Sequence, residues 1–162
     1  MKSNWLPLTP RDIPAFVECL EKYPLSMSDE IREFPLQYYT LRVNSPDTLY
    51  VRIPLLCYLA LDPIGPYDAV FHPVRDRLYR QKKKIYLDTV KSFMLWAMEA
   101  YSLNRLTLCV NEGADQAHKI AKLLGFEYEG TCKQARKINE KFIDVHIFGL
   151  LKREIKWDLP EL

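Results

Sequence analysis

The chain has 162 residues, 48% hydrophobic and 27% charged, with a formal net charge of +2. These proportions suit one globular domain, 1–162, with enough apolar side chain to bury a core. So small a net charge argues against a dedicated nucleic-acid binder. No apolar run approaches the length of a membrane span, and the opening MKSNWLPLTPRD lacks the apolar stretch of a secretory signal, so a cytoplasmic location is expected.

In chain order, NWLPL reads as a short edge strand, and Thr9-Pro10 as an N-cap with proline at the first helical position. The helix from about Pro10 to Lys22 carries Ile13, Phe16, Val17 and Leu20 at core spacing. A short helix opens at Ser28 and ends before Pro35. The runs YYTLRV (38–43) and TLYVRIPLLCYLAL (48–61), separated by NSPD, predict an antiparallel hairpin. YDAVFHPV (67–74) predicts a further strand, and a helix over about 84–101 has Tyr86, Val90, Phe93, Met94, Ala97 and Tyr101 on its buried stripe. NRLTLCV (104–110) is a strand and ADQAHKIAKLL (114–124) a helix with Gly125 as terminator. Two long strands close the chain around a turn near Asn139-Glu140.

The four cysteines, Cys19, Cys57, Cys109 and Cys132, are widely spaced with no histidine at zinc-ligand spacing, so reduced core residues and no metal site are expected. Arg80-Gln81-Lys82-Lys83-Lys84 sets cations at a helix N-terminus, where backbone N–H groups and the macrodipole already favour an anion. With Arg75 and Arg77 beside it, this stretch reads either as an anion site or as a solvated basic loop. His118 falls off its helix's apolar stripe and should be exposed; His146, on the last strand, reads as a structural, hydrogen-bonded histidine.

The element order, together with NRLTLCV, AHKIAKLLGFEYEG and ARKINEKFIDVHIFGLLKREI, resembles the Gcn5-related N-acetyltransferase (GNAT) family. The likeness is to the branch that acetylates ribosomal-protein N-termini, through Leu124-Gly125-Phe126, Glu129-Gly130 and Asp144. It covers about Tyr67 to Glu154. The resemblance implies an α/β fold with a mixed, mostly antiparallel sheet and helices on both faces. It also implies that acetyl-CoA lies in a gap where the fourth and fifth strands splay. There the family's phosphate loop falls on Gln81, Lys82, Lys83, Lys84, Ile85 and Tyr86, with Lys84 and Tyr86 where the family has glycines. Backbone N–H groups of the Val110 region would hold the acyl group. The family's thiolate-protonating Tyr and its partner Asn correspond to Ala121 and Ala114.

His72 and Asp68 share one face of their strand, and either could take a proton from an attacking amine; Glu112 is a further base candidate. VFHPVRDRLYRQKKK with LGFEYEG is similar to GNAT-fold proteins of tailed bacteriophages, some described as acyltransferases and others as head-assembly or virion proteins. The resemblance therefore implies one of two roles. One is acetyl transfer to an amine of a protein or small molecule; the other is a non-catalytic role in virion assembly or host-protein binding, in the host cytoplasm or the virion.

Overall fold

The structure is a computed structural model describing residues 5–75 and 83–157. Seven strands form one sheet in the order β1-β2-β3-β4-β5-β7-β6: β1 Leu6–Pro7, β2 Leu49–Ile53, β3 Cys57–Ile64, β4 Asp68–Arg75, β5 Arg105–Asn111, β6 Glu127–Ile138 and β7 Lys141–Leu151. All neighbours are antiparallel except β4 and β5. The helices are α1 Ile13–Glu21, α2 Asp29–Glu33, α3 Pro35–Val43, α4 Lys83–Ala100 and α5 Asp115–Leu123.

The sheet separates two apolar layers, because alternate side chains along a strand point to opposite faces. On one face α4 and α5 bury Phe93, Met94, Ala97 and Ala121 against Leu59, Phe71, Leu106 and Phe148. On the other, α1 and α3 bury Phe16, Leu20 and Tyr39 against Tyr50 and Ala60. No helix among the described residues is long and apolar enough to cross a membrane.

The expected hairpin is displaced. Residues 38–43 lie in α3, and the 48–61 run divides into β2 and β3 around a turn at Pro54 to Leu56. Aromatic and β-branched residues favour a strand there, but Pro35 at the first helical position presets a helix. Packing then decides: Tyr39 is buried edge-on against Phe16, with ring centroids 5.0 Å apart, and only a helix delivers it there.

The remaining elements lie close to their expected limits. Gly125 has φ +82° and ends α5 as expected: its N–H donates to the Lys122 carbonyl and that of Phe126 to the Ala121 carbonyl, both at 3.0 Å. Asn139 and Glu140 both have positive φ and form the two-residue turn between β6 and β7. The Asp29 carboxylate of α2 accepts both of their N–H groups, fastening the hairpin tip to the helical layer. Of the cysteines only Cys19 and Cys57 are core residues; Cys109 is half-buried and Cys132, on the outermost strand, is exposed. His118, expected to be exposed, is half-buried, and its Nε2 lies 2.7 Å from His146 Nδ1.

Candidate active site

Strands β4 and β5 are paired only at Asp68–Arg105, Ala69–Leu106 and Val70–Thr107. Beyond that point β4 runs on to Arg75 and β5 to Asn111 without pairing to each other, leaving a wedge-shaped gap inside the sheet.

The alternation of backbone groups along a strand identifies those that line the gap. At the two ends of β5 the Lys152 N–H donates to the Asn104 carbonyl and the Glu112 N–H to the Asp144 carbonyl, while the Arg105 N–H donates to the Tyr67 carbonyl. Even-numbered residues of β5 therefore turn their backbone to β7 and odd-numbered ones to β4. Val110 is thus turned away from the gap. Its N–H faces β7 and its side chain is buried in the core, so the backbone groups of Cys109 and Asn111 take the place expected for it.

On β4 the Tyr67 carbonyl faces β5 and the Asp68 carbonyl accepts from Gly65 on the other side, so Phe71, Pro73 and Arg75 line the gap. Proline is tolerated at such a position because no strand needs its N–H. The loop after α1 spans the gap's open end on the α1/α3 face. Tyr23 donates its hydroxyl to the Arg75 carbonyl, and Asn111 Nδ2 donates to the Leu25 carbonyl at 2.6 Å.

His72 stands on that same face, opposite Ala60 of β3. The β3 register shifts between Leu61 and Ile64, and the His72 ring meets the Asp62 carbonyl at 2.9 Å through Nε2. A carbonyl only accepts, so Nε2 carries the proton and Nδ1 is left as the basic nitrogen. His72 is exposed by area, yet the protein atoms around its ring are dense enough that desolvation holds its pKa below the ordinary value, aided by the charge of Arg136, while the Asp62 carbonyl and charge pull the other way. The Asp62 side chain is fixed in turn: Arg42 Nε donates to its two oxygens at 3.0 and 3.1 Å, and the Tyr50 hydroxyl donates to Oδ2.

The other expected base residues stand apart. Asp68 shares the face of His72 but sits at the closed, paired end of the strands, exposed and beside Arg105. Glu112 is exposed past the end of β5 and accepts from the Asp144 N–H at 3.3 Å. Cys109, which sequence reasoning left as a core residue, reaches the His72 face of the gap. Burial pushes its thiol pKa up and keeps it protonated.

Gln81 and Lys82 lie outside the described residues. Lys83, Lys84 and Ile85 form the exposed first turn of α4, whose N–H groups have no intrahelical acceptor. Tyr86 differs from its expected place in a phosphate loop. It is 1% exposed, points into the core as its helical stripe required, and has the Arg75 guanidinium 5.4 Å from its ring centroid. Ala121 is fully buried and Ala114 caps the start of α5, so neither offers an acid to the gap.

A mostly antiparallel seven-stranded sheet that opens between its one parallel pair, with a helix N-terminus following the first of those strands, defines the GNAT acetyltransferase fold. Known structures bear this out. A probable acetyltransferase is 18% identical over 93% of each chain with a TM-score of 0.72. RimL, a ribosomal L7/L12 alpha-N-protein acetyltransferase solved with coenzyme A, is 16% identical over 91% of this chain and 92% of its own, with a TM-score of 0.68. The spermidine N-acetyltransferase SpeG of Vibrio cholerae is 16% identical over the same shares, with a TM-score of 0.71. No protein-family profile and no curated sequence matches the chain.

Proposed function

We propose that this protein transfers an acetyl group from acetyl-CoA to a primary amine by direct attack within a ternary complex. The observation that carries the reading is the gap between β4 and β5, where the Phe71 carbonyl, the Cys109 backbone and the Asn111 N–H are left unpaired between the two strands and can receive an extended ligand arm as a third strand; the Asn111 carbonyl is taken by the Ala114 N–H at 3.1 Å. The Val110 region then acts through the backbone of Cys109 and the Asn111 N–H. The first turn of α4, with Lys83 and Lys84 and in sequence Gln81 and Lys82, supplies N–H groups and cations to the pyrophosphate. Ile85 and Tyr86 shape the turn, Tyr86 from beneath.

His72 Nδ1 takes the proton that an ammonium must lose before its nitrogen can attack the thioester carbonyl. The amine then bonds to the acetyl carbon, the C–S bond breaks, and the coenzyme leaves as a thiolate that takes up, through water, the second proton the nitrogen sheds as the amide forms. A thiol pKa of roughly 8.5 makes that leaving group tolerable without a side-chain acid at the Ala121 position. Asp68 and Glu112 remain as outlying carboxylates that steer the cationic amine.

His72→Gln is expected to lower kcat/KM by about a hundred-fold, the lower end for loss of a general base. Only the neutral imidazole accepts a proton, and its pKa is depressed. The acid limb of the wild-type pH–rate profile should therefore fall below 6.5, and should vanish in the variant. A limb above 6.5 that survives the substitution assigns the base elsewhere.

Titration calorimetry with acetyl-CoA tests the reading as a whole. Micromolar binding weakened by about ten-fold or more in the Lys83→Glu, Lys84→Glu double variant is expected, since charge-assisted phosphate contacts are lost. Absence of binding up to millimolar ligand removes the enzyme reading. It would leave a catalytically silent GNAT-fold protein, phage-encoded and acting in head assembly or on a host protein. Lys84 and Tyr86 in place of glycines, and Ala121 in place of an acid, favour that second reading, because a fold outlasts its function.

A further inference from the structure

Arg136 stands on β6, two strands from the gap, yet its guanidinium crosses β7 to donate to Asn111 Oδ1 at 2.9 Å. Asn111 is buried at 4% exposure and its amide nitrogen is held by the Leu25 carbonyl, so the oxygen offered to Arg136 has a fixed direction. The guanidinium is therefore positioned at the gap's rim on the face that also carries His72 and Cys109.

Among the described residues no carboxylate forms an ion pair with Arg136: the arginines so engaged are Arg42, Arg52 and Arg105. Its charge is felt at Tyr38 and Tyr39 of α3 and at His72 and Cys109, the last two on the same face of the gap. Asp62 acts on the first three of these as well, but its carboxylate is already occupied by Arg42 and Tyr50. Among the described residues Arg136 is thus an oriented, half-buried cation without an ion-pair partner, and its one hydrogen bond there leaves most of the N–H fork unspent.

A polyamine, cationic at several points, would meet repulsion there. A carboxylate would meet a planar fork that matches its geometry and replaces the water it loses. We propose that the acceptor is an amine carrying a carboxylate on the same short chain, which docks on Arg136 while the amine faces His72. This rests on the transferase reading for its chemistry, but the docking can be measured without turnover.

The experiment is calorimetry on the full chain with glycylglycine, its C-terminal amide and spermidine, each with and without coenzyme A. The acid should bind on the order of ten- to a hundred-fold more tightly than the amide, the usual range for a charge-assisted pair. Arg136→Met should abolish that difference and Arg136→Lys should keep part of it, with circular dichroism and thermal midpoint confirming both folds. Equal affinity for acid and amide, preference for spermidine, absence of acid binding at millimolar concentration, or discrimination surviving in Arg136→Met each overturns the proposal. Failure of acetyl-CoA to bind, by contrast, strikes the transferase reading and leaves carboxylate discrimination to be read directly.

Discussion

Phe93→Ala should destabilise the protein by about 3–5 kcal/mol, the range for removing a large buried aromatic ring and leaving a cavity. Phe93 is fully buried on the sheet-facing side of α4. Its ring stacks on Phe71 with centroids 6.0 Å apart and meets Trp5 edge-on at 5.6 Å and Trp96 at 5.6 Å. It therefore joins the gap-lining strand, the helix that opens beside the gap and the segment entering β1. In a chain of this size the loss corresponds to a fall in Tm on the order of 10 °C. Chemical denaturation should show a lower midpoint with an unchanged slope, while Phe93→Leu, which keeps most of the volume, should cost below about 1.5 kcal/mol. A midpoint within a degree or two of wild type for Phe93→Ala would mean that α4 does not seat on the sheet through this ring.

Asp62→Ala should cost about 2–4 kcal/mol and should also impair the site. The carboxylate is the common acceptor for Arg42 and the Tyr50 hydroxyl, and its side chain is 9% exposed. Removing one member of a largely buried ionic cluster leaves the others desolvated and unpaired, which costs more than the cluster was worth. Arg42 retains Asp47 at 3.5 Å and is itself partly exposed, which keeps the loss below that of a fully buried pair. Among the described residues the Tyr50 hydroxyl has no second acceptor. Because the Asp62 backbone carbonyl holds Nε2 of His72, loosening the β3 bulge should also lower kcat more than it raises KM. Unfolding measurements on Asp62→Asn separate charge from shape: a cost close to that of alanine assigns the effect to the lost charge.

The second half of the fold was legible because its signals are local. Gly125 after a helical stripe, the Asn139-Glu140 turn and the alternating runs around it all act within a few residues. Residues 38–43 were not legible, because Tyr, Thr and Val favour an extended chain. What overrides them is the cavity between Phe16 and Tyr50, which forms only once α1 lies on the sheet. The proposed site shows the same division. His72 and the first turn of α4 could be marked from residue type and position. Which backbone groups of β5 face the gap could not, since that depends on the phase of its pairing with β7. Arg136 and Asn111 gave no sequence signal, because they meet 25 residues apart across an intervening strand. A half-exposed arginine opposite a buried asparagine on the gap strand is visible only in three dimensions.

Pro73 has a consequence for how a ligand is met. Two parallel strands that diverge could in principle zip further together in the empty protein, and any ligand would then have to prise them apart. A residue without an N–H on the inner edge of β4 cannot extend that ladder, and the Arg75 carbonyl beyond it is already held by Tyr23. The seam is thus blocked against its own closure. Whatever enters it finds a slot kept open by covalent structure, and the free energy of entry is not spent on separating strands.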